Sequence, residues 1–561
     1  MKNQATNRIK GRGFLRELKM ENAQVQRSAA SCESGGLYMG IDIGSYSSKG
    51  VVVDASGYVL AYREISHGME HPRPGFFEHD AEDVWWGDFC RLSRSLLGIG
   101  DADGIRGYGG SVSPASIRGV GSSALGGDCL PVDESFTPLR KAILYGIDSR
   151  CSLEIEEMTR MYGREGVRRL FGRPICTGDV AAKILWLKKH EPDIHKSAKY
   201  FLTGSSFLTT RLTGNCTVDR FLGMASFRPL YDENGRILKE MCSPYCRPDQ
   251  LAPGMEAAEI AGYVTEAAAS ATGIWQGTPV ITGTGDSAAE AVSAGVLKPG
   301  ELMIQFGSSL FFYFCTERLI EDDRVRGNTF VIPGTYSLAA GTNNSGTLQT
   351  WYRNVFFPEL ENEHAGAADI SLQAAQDRSP QEVSPFARMM EGLEEIPPGS
   401  EGLITLPYFA GERTPINDPL AKGVIFGLTL SHTRRHLYRS ALEGIGFSAA
   451  QHIEIFREHG LPVEKIHAVG GGAKNLLWMK MIADITGVPV SIGRVTAGAS
   501  YGDALMAAIG CGQYQTFSDL ESVLGERERI LPDEERTRLY VPYYHAFCSL
   551  YDSTKTLMHQ F

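Results

Sequence analysis

Leu37-Tyr38-Met39-Gly40-Ile41-Asp42-Ile43-Gly44-Ser45-Tyr46-Ser47-Ser48-Lys49-Gly50-Val51-Val52-Val53 sets the fold of this chain. Two apolar, β-branched runs, Tyr38 to Ile43 and Gly50 to Val53, flank a turn of small residues, which reads as a strand, a tight turn and a second strand. Asp54-Ala55-Ser56-Gly57 then turns the chain into a third strand, Tyr58 to Tyr62. The same design returns downstream: Glu301 to Phe306 is apolar, Gly307-Ser308-Ser309 turns, and Leu310 to Cys315 is apolar again. Two hairpins of one design, each opening a long segment, predict two related α/β domains that meet near Pro299-Gly300.

Between and beyond the hairpins the periodicity is helical. Ala182 to Lys189 predicts a helix ending near Pro192, Ala288 to Ala294 is compatible with another, and Ser431 can cap a third that buries Leu437, Ala441 and Ile445. Lys465 to Val469 reads as a strand breaking into Gly470-Gly471-Gly472, followed by a helix with Leu477, Met481 and Ile485 on one face, stopped at Gly487. The last residues, with Tyr540, Tyr543 and Tyr544, read as a terminal helix without a functional motif. These signals divide the chain into an extension over 1–36, a first domain over 37–298, a second over 299–515 and a helical extension over 516–561.

Composition narrows the function. The chain has 561 residues, 55 Lys and Arg against 66 Asp and Glu, and a net charge of -11. That balance excludes the basic face on which a nucleic-acid protein depends. The longest apolar runs, such as Leu302 to Phe306, fall far short of the roughly 18 residues of a membrane span. Eleven cysteines form no C-x-x-C pair, which predicts free thiols in a reducing cytoplasm. Residues 1–36, basic at Lys2, Arg8, Lys10 and Arg12, lack the apolar core of a secretory leader and are read as a disordered extension or a mis-called start. The 63 glycines have no fibrous period and must serve turns and close approaches.

Several glycine-rich turns carry candidate chemistry. In the first hairpin, Gly44, Ser45, Ser47, Ser48 and Lys49 offer backbone amides, hydroxyls and a cation to polyphosphate oxygens, while Asp42 can serve Mg²⁺; an ordinary polar hairpin has the same composition. Gly307-Ser308-Ser309 offers a second such turn, facing the first across a cleft if the domains are related. No G-x-x-x-x-G-K-[ST] string occurs, so neither is a Walker loop. Gly283-Thr284-Gly285-Asp286 ends an apolar strand, so that Asp286 can either meet a substrate hydroxyl or cap a helix. Gly470, Gly471 and Gly472 with Asn475 form either a flat surface for a purine or a packing turn.

These pieces together resemble the FGGY carbohydrate kinases, and the xylulokinase-like members most, over about Leu37 to Gly510. Gly423 to Glu443 (Gly-Val-Ile-Phe-Gly-Leu-Thr-Leu-Ser-His-Thr-Arg-Arg-His-Leu-Tyr-Arg-Ser-Ala-Leu-Glu) fits one family signature throughout. Lys183 to His190 fits another, which departs upstream at Val180, and Gly277 to Asp286 is also very like the family. The resemblance implies two actin-like, ribonuclease H-type α/β domains around an ATP cleft. It implies transfer of the γ-phosphoryl group to a sugar hydroxyl. It assigns Gly44, Ser45, Ser47, Lys49, Gly307, Ser308 and Ser309 to the ATP phosphates, Gly471, Gly472 and Asn475 to adenosine, Asp42 to Mg²⁺ and Asp286 to the catalytic base.

The sugar region departs from the pattern. Gly126 and Gly127 stand where xylulokinases place a Met-His pair, which would leave room for a larger or differently held sugar. Tyr145-Gly146-Ile147-Asp148-Ser149-Arg150 is an altered Trp-x-Asp-x-Arg element with one extra residue; Asp148 can bond a sugar hydroxyl or be tied to Arg150 in a buried pair. Gly75 to Asp80 resembles a further family stretch and is read as structural. The expected partners are therefore ATP and a small sugar, a ketopentose such as D-xylulose first. Glycerol, erythritol or gluconate is the alternative, or a non-catalytic sensor on the same fold. Neither nucleic acid nor membrane is expected, and a homodimer stays open.

Overall fold

The computed structural model describes residues 35–100, 103–360, 385–495 and 497–561. All but Gly35 and Gly36 of the expected N-terminal extension lies outside the described residues.

The first sheet grows from the opening hairpin. β1 (Leu37–Ile43), β2 (Ser47–Val53) and β3 (Val59–Ser66) run as an antiparallel meander, continued on one side by β4 (Ile105–Gly109). On the other side, β5 (Ile117–Ala124) lies parallel to β1, with Asp42 opposite Ser123. β6 (Ile260–Tyr263) and β7 (Pro279–Ile281) extend the sheet beyond β5, and the short β8 (Thr284–Gly285) pairs with its end. Helix α1 (Gly87–Leu96) covers one face, α2 (Val180–His190) carries Lys183, and α3 (Asp286–Ala294) leaves directly from β8.

The second sheet repeats that core. β9 (Glu301–Phe306) and β10 (Leu310–Thr316) form the antiparallel hairpin, and β11 (Arg326–Thr329) and β12 (Tyr336–Gly341) continue beyond β10. Helix α4 (Arg434–Glu458) is the long buried helix of this half; Thr433 rather than Ser431 stands at its N-terminus, where its amide donates to His436 Nδ1 at 3.2 Å. β13 (Lys465–Val469) lies parallel to β9, as β5 does to β1. Helix α5 (Leu476–Thr486) and strand β14 (Val490–Gly493) follow.

One element does not stay with its neighbours in sequence. Helix α6 (Ala499–Gly510), expected in the second domain, packs on β1 and β5 of the first sheet. Its residues Tyr501 and Ala504 to Ala508, with Phe517 and Leu520 beyond, belong to the first hydrophobic core. The approach is so close that a Cβ at Gly40 of β1 would stand 2.0 Å from the Ser500 carbonyl, so only glycine fits there. The boundary expected at residue 515 therefore differs from the packing: residues 497–524 rejoin the first domain's core, because α6 is apolar on the face that meets β1. β15 (Glu526–Ile530) then closes the second sheet against β14, and α7 (Glu534–Met558) packs on the second core through Tyr540, Phe547, Tyr551 and Met558. Tyr540 donates its hydroxyl to buried Glu443 of α4 at 2.9 Å, so the terminal helix is a structural brace.

Among the described residues no helix is long and apolar enough to cross a membrane, and every cysteine is free.

Candidate active site

The carboxyl ends of β1 and β5 carry the polar centre of the first domain. Pairing of β1 with β5 sets Ser123 beside Asp42, and α6 brings Asp503 to the same hydroxyl. Ser123 Oγ lies 2.8 Å from Asp42 Oδ1 and 2.7 Å from Asp503 Oδ2. A hydroxyl has one proton, so the second short contact needs a proton from a carboxyl. Burial drives the Asp503 carboxyl well above the usual range, with the Asp42 charge adding to it, which places that proton on Asp503. Burial also raises Asp42, opposed by the Lys49 ammonium, which the β1–β2 register sets directly opposite it.

Asp286 opens α3. Gly285, not Asp286, occupies the N-cap position, and the Asp286 carboxylate accepts the Ser287 amide at 2.6 Å. The helix-capping alternative therefore falls to Gly285, and the Asp286 side chain is left near the charged groups of the first turn. Its pKa is raised to about 7, by burial first and then by the negative charge of Asp42, with Glu290 adding to it and Lys49 opposing. Such a carboxyl is poised to take a proton near neutral pH. Gly283 makes this geometry: its φ is +77°, and a Cβ would lie 2.2 Å from the Ser122 carbonyl. One helical turn on, Glu290 accepts the Gln305 side-chain amide at 3.0 Å. Gln305 stands two residues before the second turn, so this bond ties the second hairpin to the helix that carries Asp286.

The first turn is closed by the Gly44 amide donating to the Ser47 carbonyl at 3.0 Å. Ser45 donates its hydroxyl to Tyr145 at 3.2 Å, and Ser48, turned inward, donates to Asp88 at 2.7 Å. The second turn is braced differently. The Gly307 amide donates to Ser309, while the Ser308 carbonyl accepts the Ser345 amide at 2.9 Å and the Thr347 hydroxyl at 3.0 Å. Arg413 donates to Ser309 Oγ at 3.4 Å and to the Thr342 carbonyl.

A cavity of about 800 Å³ opens from this second turn. Gly307 and Ser308 line it together with Gly471, Gly472 and Asn475, and Phe306 and Trp478 give it apolar walls. The structure thus brings the expected second phosphate turn and the expected adenosine residues to one cavity large enough for a nucleotide. Asn475 is partly engaged: its Oδ1 caps α5 by accepting the Trp478 amide at 3.1 Å, which leaves its side-chain NH₂ free of that bond.

Two expectations about the sugar region are revised. Gly127 does not open space, because its φ is +87° and a Cβ would stand 2.6 Å from the Gly178 carbonyl; the backbone itself needs glycine there. Only Gly126 is a position where a side chain is missing from the site, with Leu222 as its nearest neighbour at 3.4 Å. Asp148, a candidate sugar ligand, instead lies fully buried in the structural pair. Its Oδ2 accepts the Phe77 amide at 2.7 Å and Arg150 Nη2 at 2.8 Å, and its Oδ1 accepts Arg150 Nε at 2.9 Å. Arg150 also donates to Glu78 at 2.8 Å, in keeping with a structural role for the Gly75 to Asp80 stretch.

Asp503, Tyr145, Arg413 and Asp128 were not singled out from the sequence. Asp503 did leave a signal, as the only charged residue of the otherwise apolar helix Ala499–Gly510. Tyr145 opens the altered Trp-x-Asp-x-Arg element, but only the fold sets it beside the first turn, as only the fold sets Arg413 beside the second.

Mg²⁺ is not part of the structure, and the donors available to it can be weighed. Among the described residues no three His, Cys, Asp or Glu side chains converge into a ready-made metal cage. The Asp42 charge nevertheless raises both Asp286 and Glu290, and Asp503 Oδ1 is buried without a partner. That is a set of residues fit for an ion held by one or two carboxylates, water and nucleotide phosphates.

Sequence comparison agrees with the geometry. Sequence profiles described as the N-terminal and C-terminal domains of the FGGY family of carbohydrate kinases match residues 37–293 and 302–511. Xylulose kinase from Bacillus subtilis (strain 168) is 27% identical over 524 residues, covering 92% of this chain and 97% of that protein. Gluconokinase from Bacillus licheniformis is 24% identical over 519 residues, covering 91% and 95%. The crystal structure of xylulose kinase from Rhodospirillum rubrum superposes with a TM-score of 0.79 at 26% identity, over 93% of this chain and all of that one.

Proposed function

Since this chain belongs to the FGGY family of carbohydrate kinases and is an ATP-dependent sugar kinase, we propose that its acceptor is a ketopentose such as D-xylulose and that Asp286 is its general base. The observation that carries the catalytic reading is Asp286 itself. It is a carboxyl at the head of α3, held near neutrality by burial and by Asp42, and linked through Glu290 and Gln305 to the second turn. There it accepts the proton of the attacking sugar hydroxyl as the oxygen approaches the γ-phosphorus.

The two turns divide the nucleotide between them. Gly307, Ser308 and Ser309 hold phosphate oxygens by amide and hydroxyl donors at the mouth of the cavity, with Gly471, Gly472 and Asn475 against adenosine. Gly44, Ser45, Ser47 and Lys49 hold the transferred phosphoryl group from the side of the sugar. Asp42 would hold Mg²⁺, which would supply charge neutralisation to the phosphates. Positioning and field are what such a transfer requires of the protein.

The choice of a ketopentose follows the xylulose kinases among the relatives, and gluconate, the substrate named by the gluconokinase, is the second reading. ADP release measured over D-xylulose, other ketopentoses, glycerol, erythritol and gluconate tests it. The highest kcat/KM is expected for a ketopentose; a clear preference for gluconate or for a short polyol would overturn that choice.

A further inference from the structure

Asp128 lies four residues past the end of β5, where the chain leaves the sheet for the site. It is fully enclosed, and neither of its carboxyl oxygens has a hydrogen-bond partner of normal geometry, the Tyr145 backbone amide being the smallest of the influences on its pKa. The enclosed ammonium of Lys183 is directed elsewhere: it donates to the Gly127 carbonyl at 2.6 Å and to the Thr177 carbonyl at 2.8 Å. Asp128 stands on the side of the proposed base. Gly285 pairs with Ala124, a Cβ on Gly285 would lie 3.8 Å from Gly126 Cα, and Asp286 follows at once. The two carboxyls sense each other, since the charge of Asp286 adds to the burial that raises Asp128, while Lys183 opposes it. Tyr145, whose hydroxyl takes the Ser45 bond, feels both carboxylates as well.

Buried polar groups in folded proteins are nearly always paired, and an enclosed carboxyl with both oxygens unpaired costs stability. Asp148, Asp179 and Asp219 nearby all find donors within the protein. Asp128 is the exception among these four, and the loop that carries it meets Gly285, the residue before Asp286. Either protonation state of a carboxyl suits a pair of hydroxyls: the carboxylate accepts from both, and the acid accepts from one and donates to the other.

We propose that Asp128 binds two hydroxyls of the acceptor sugar and, together with Asp286, selects an uncharged polyhydroxy substrate over an aldonate of similar length. This rests on the sugar-kinase reading above. An aldonate would bring a carboxylate beside Asp286, which must be ionised to accept a proton, into an enclosed space whose ammonium, Lys183, is already committed to two carbonyls, and a charge without a partner is costly where water is excluded. A ketose or polyol brings only hydroxyls, which the two carboxyls complement.

The test compares wild type, Asp128→Asn and Asp128→Ala in kcat/KM for D-xylulose and for gluconate, in KM for ATP, and in Tm. Loss of paired hydroxyl contacts is expected to raise the KM for the ketopentose by about tenfold or more in Asp128→Ala, with the KM for ATP changed less than about twofold. Asp128→Asn should lower the ketopentose-to-gluconate ratio of kcat/KM by about tenfold or more, because its amide loses one acceptor for a sugar hydroxyl and offers its NH₂ donors to an aldonate carboxylate. Its Tm should be equal to or above that of the wild type, since an unpaired buried carboxyl is removed. An unchanged ratio and sugar KM in a wild type that uses the ketopentose would overturn the role of Asp128 and leave the ketopentose reading standing. A fall in Tm without a change in ratio would make Asp128 a structural partner of Lys183 and overturn it equally. A wild type that prefers gluconate would overturn both.

Discussion

The two halves of the molecule use one hairpin in opposite ways. In both, a strand runs into a serine-containing turn, returns antiparallel, and lies beside a parallel strand: β1, β2 and β5 in the first half, β9, β10 and β13 in the second. Around the first turn the fold collects carboxyls, namely Asp42, Asp286, Glu290 and Asp503, all raised by burial and the last three also by the charge of Asp42. Around the second it collects glycine backbone and the apolar walls of Phe306 and Trp478, bordering a cavity of about 800 Å³, with the Arg413 guanidinium on Ser309. A shared backbone frame therefore leaves chemistry to whatever the neighbouring elements bring to it. Acid groups suit proton transfer and a metal; backbone amides and apolar walls suit an anionic nucleotide with a flat base.

The contrast is broken hardest at Asp286. Asp286→Ala should lower kcat by about 10² to 10⁴, the range for losing one general base, while the KM for ATP stays near the wild-type value; initial rates under saturating sugar measure both. Retained turnover would remove the base from the first half. In the second half, a Cβ at Gly472 would stand 2.6 Å from the Trp478 ring and 2.8 Å from Phe306 Cβ. Gly472→Ala should therefore raise the KM for ATP about tenfold and cost about 1–3 kcal/mol of stability by overpacking, with the KM for the sugar unmoved. At Gly471 a Cβ meets nothing within 4 Å, so Gly471→Ala is the control for stability in the same calorimetric comparison.

The smallest effect is in pH. Asp286 must be ionised to accept a proton, so kcat/KM for the sugar should rise with pH through an inflection near 7 and level above it. Glu290 contributes negative charge to that raised value. Glu290→Gln should therefore move the inflection downward, by less than about one pH unit, while the KM for ATP shows no matching step. The same shift carries a stability consequence. The folded pKa of Asp286 lies above its ordinary value of 3.8, so its ionisation costs the fold stability as pH rises from about 4 to 7. An Asp286→Asn variant should accordingly melt higher than wild type at pH 8.

The sequence by itself determined the strands, the two turns and the residues that line them. A strand's alternation and a turn's glycine and serine content act over a few residues, so the strands over Tyr38 to Ile43, Gly50 to Val53 and Lys465 to Val469 and the helix over Ala288 to Ala294 were legible locally, while the start of the second strand at Ser47 and of the helix at Asp286 was not. The long signature from Gly423 to Glu443 carried the family because its order alone is distinctive. Only the tertiary structure decided which side chains share a space. Asp503 reaches Ser123 because α6 crosses back onto the first sheet, over a separation of 380 residues that no local pattern records. It also decided that Asp148 serves Arg150 rather than the site, that Gly127 is glycine for its backbone, and that Asp128 stays unpaired. Burial, pairing and raised acidity are properties of what surrounds a group, and the surroundings of these carboxyls are assembled from distant parts of the chain.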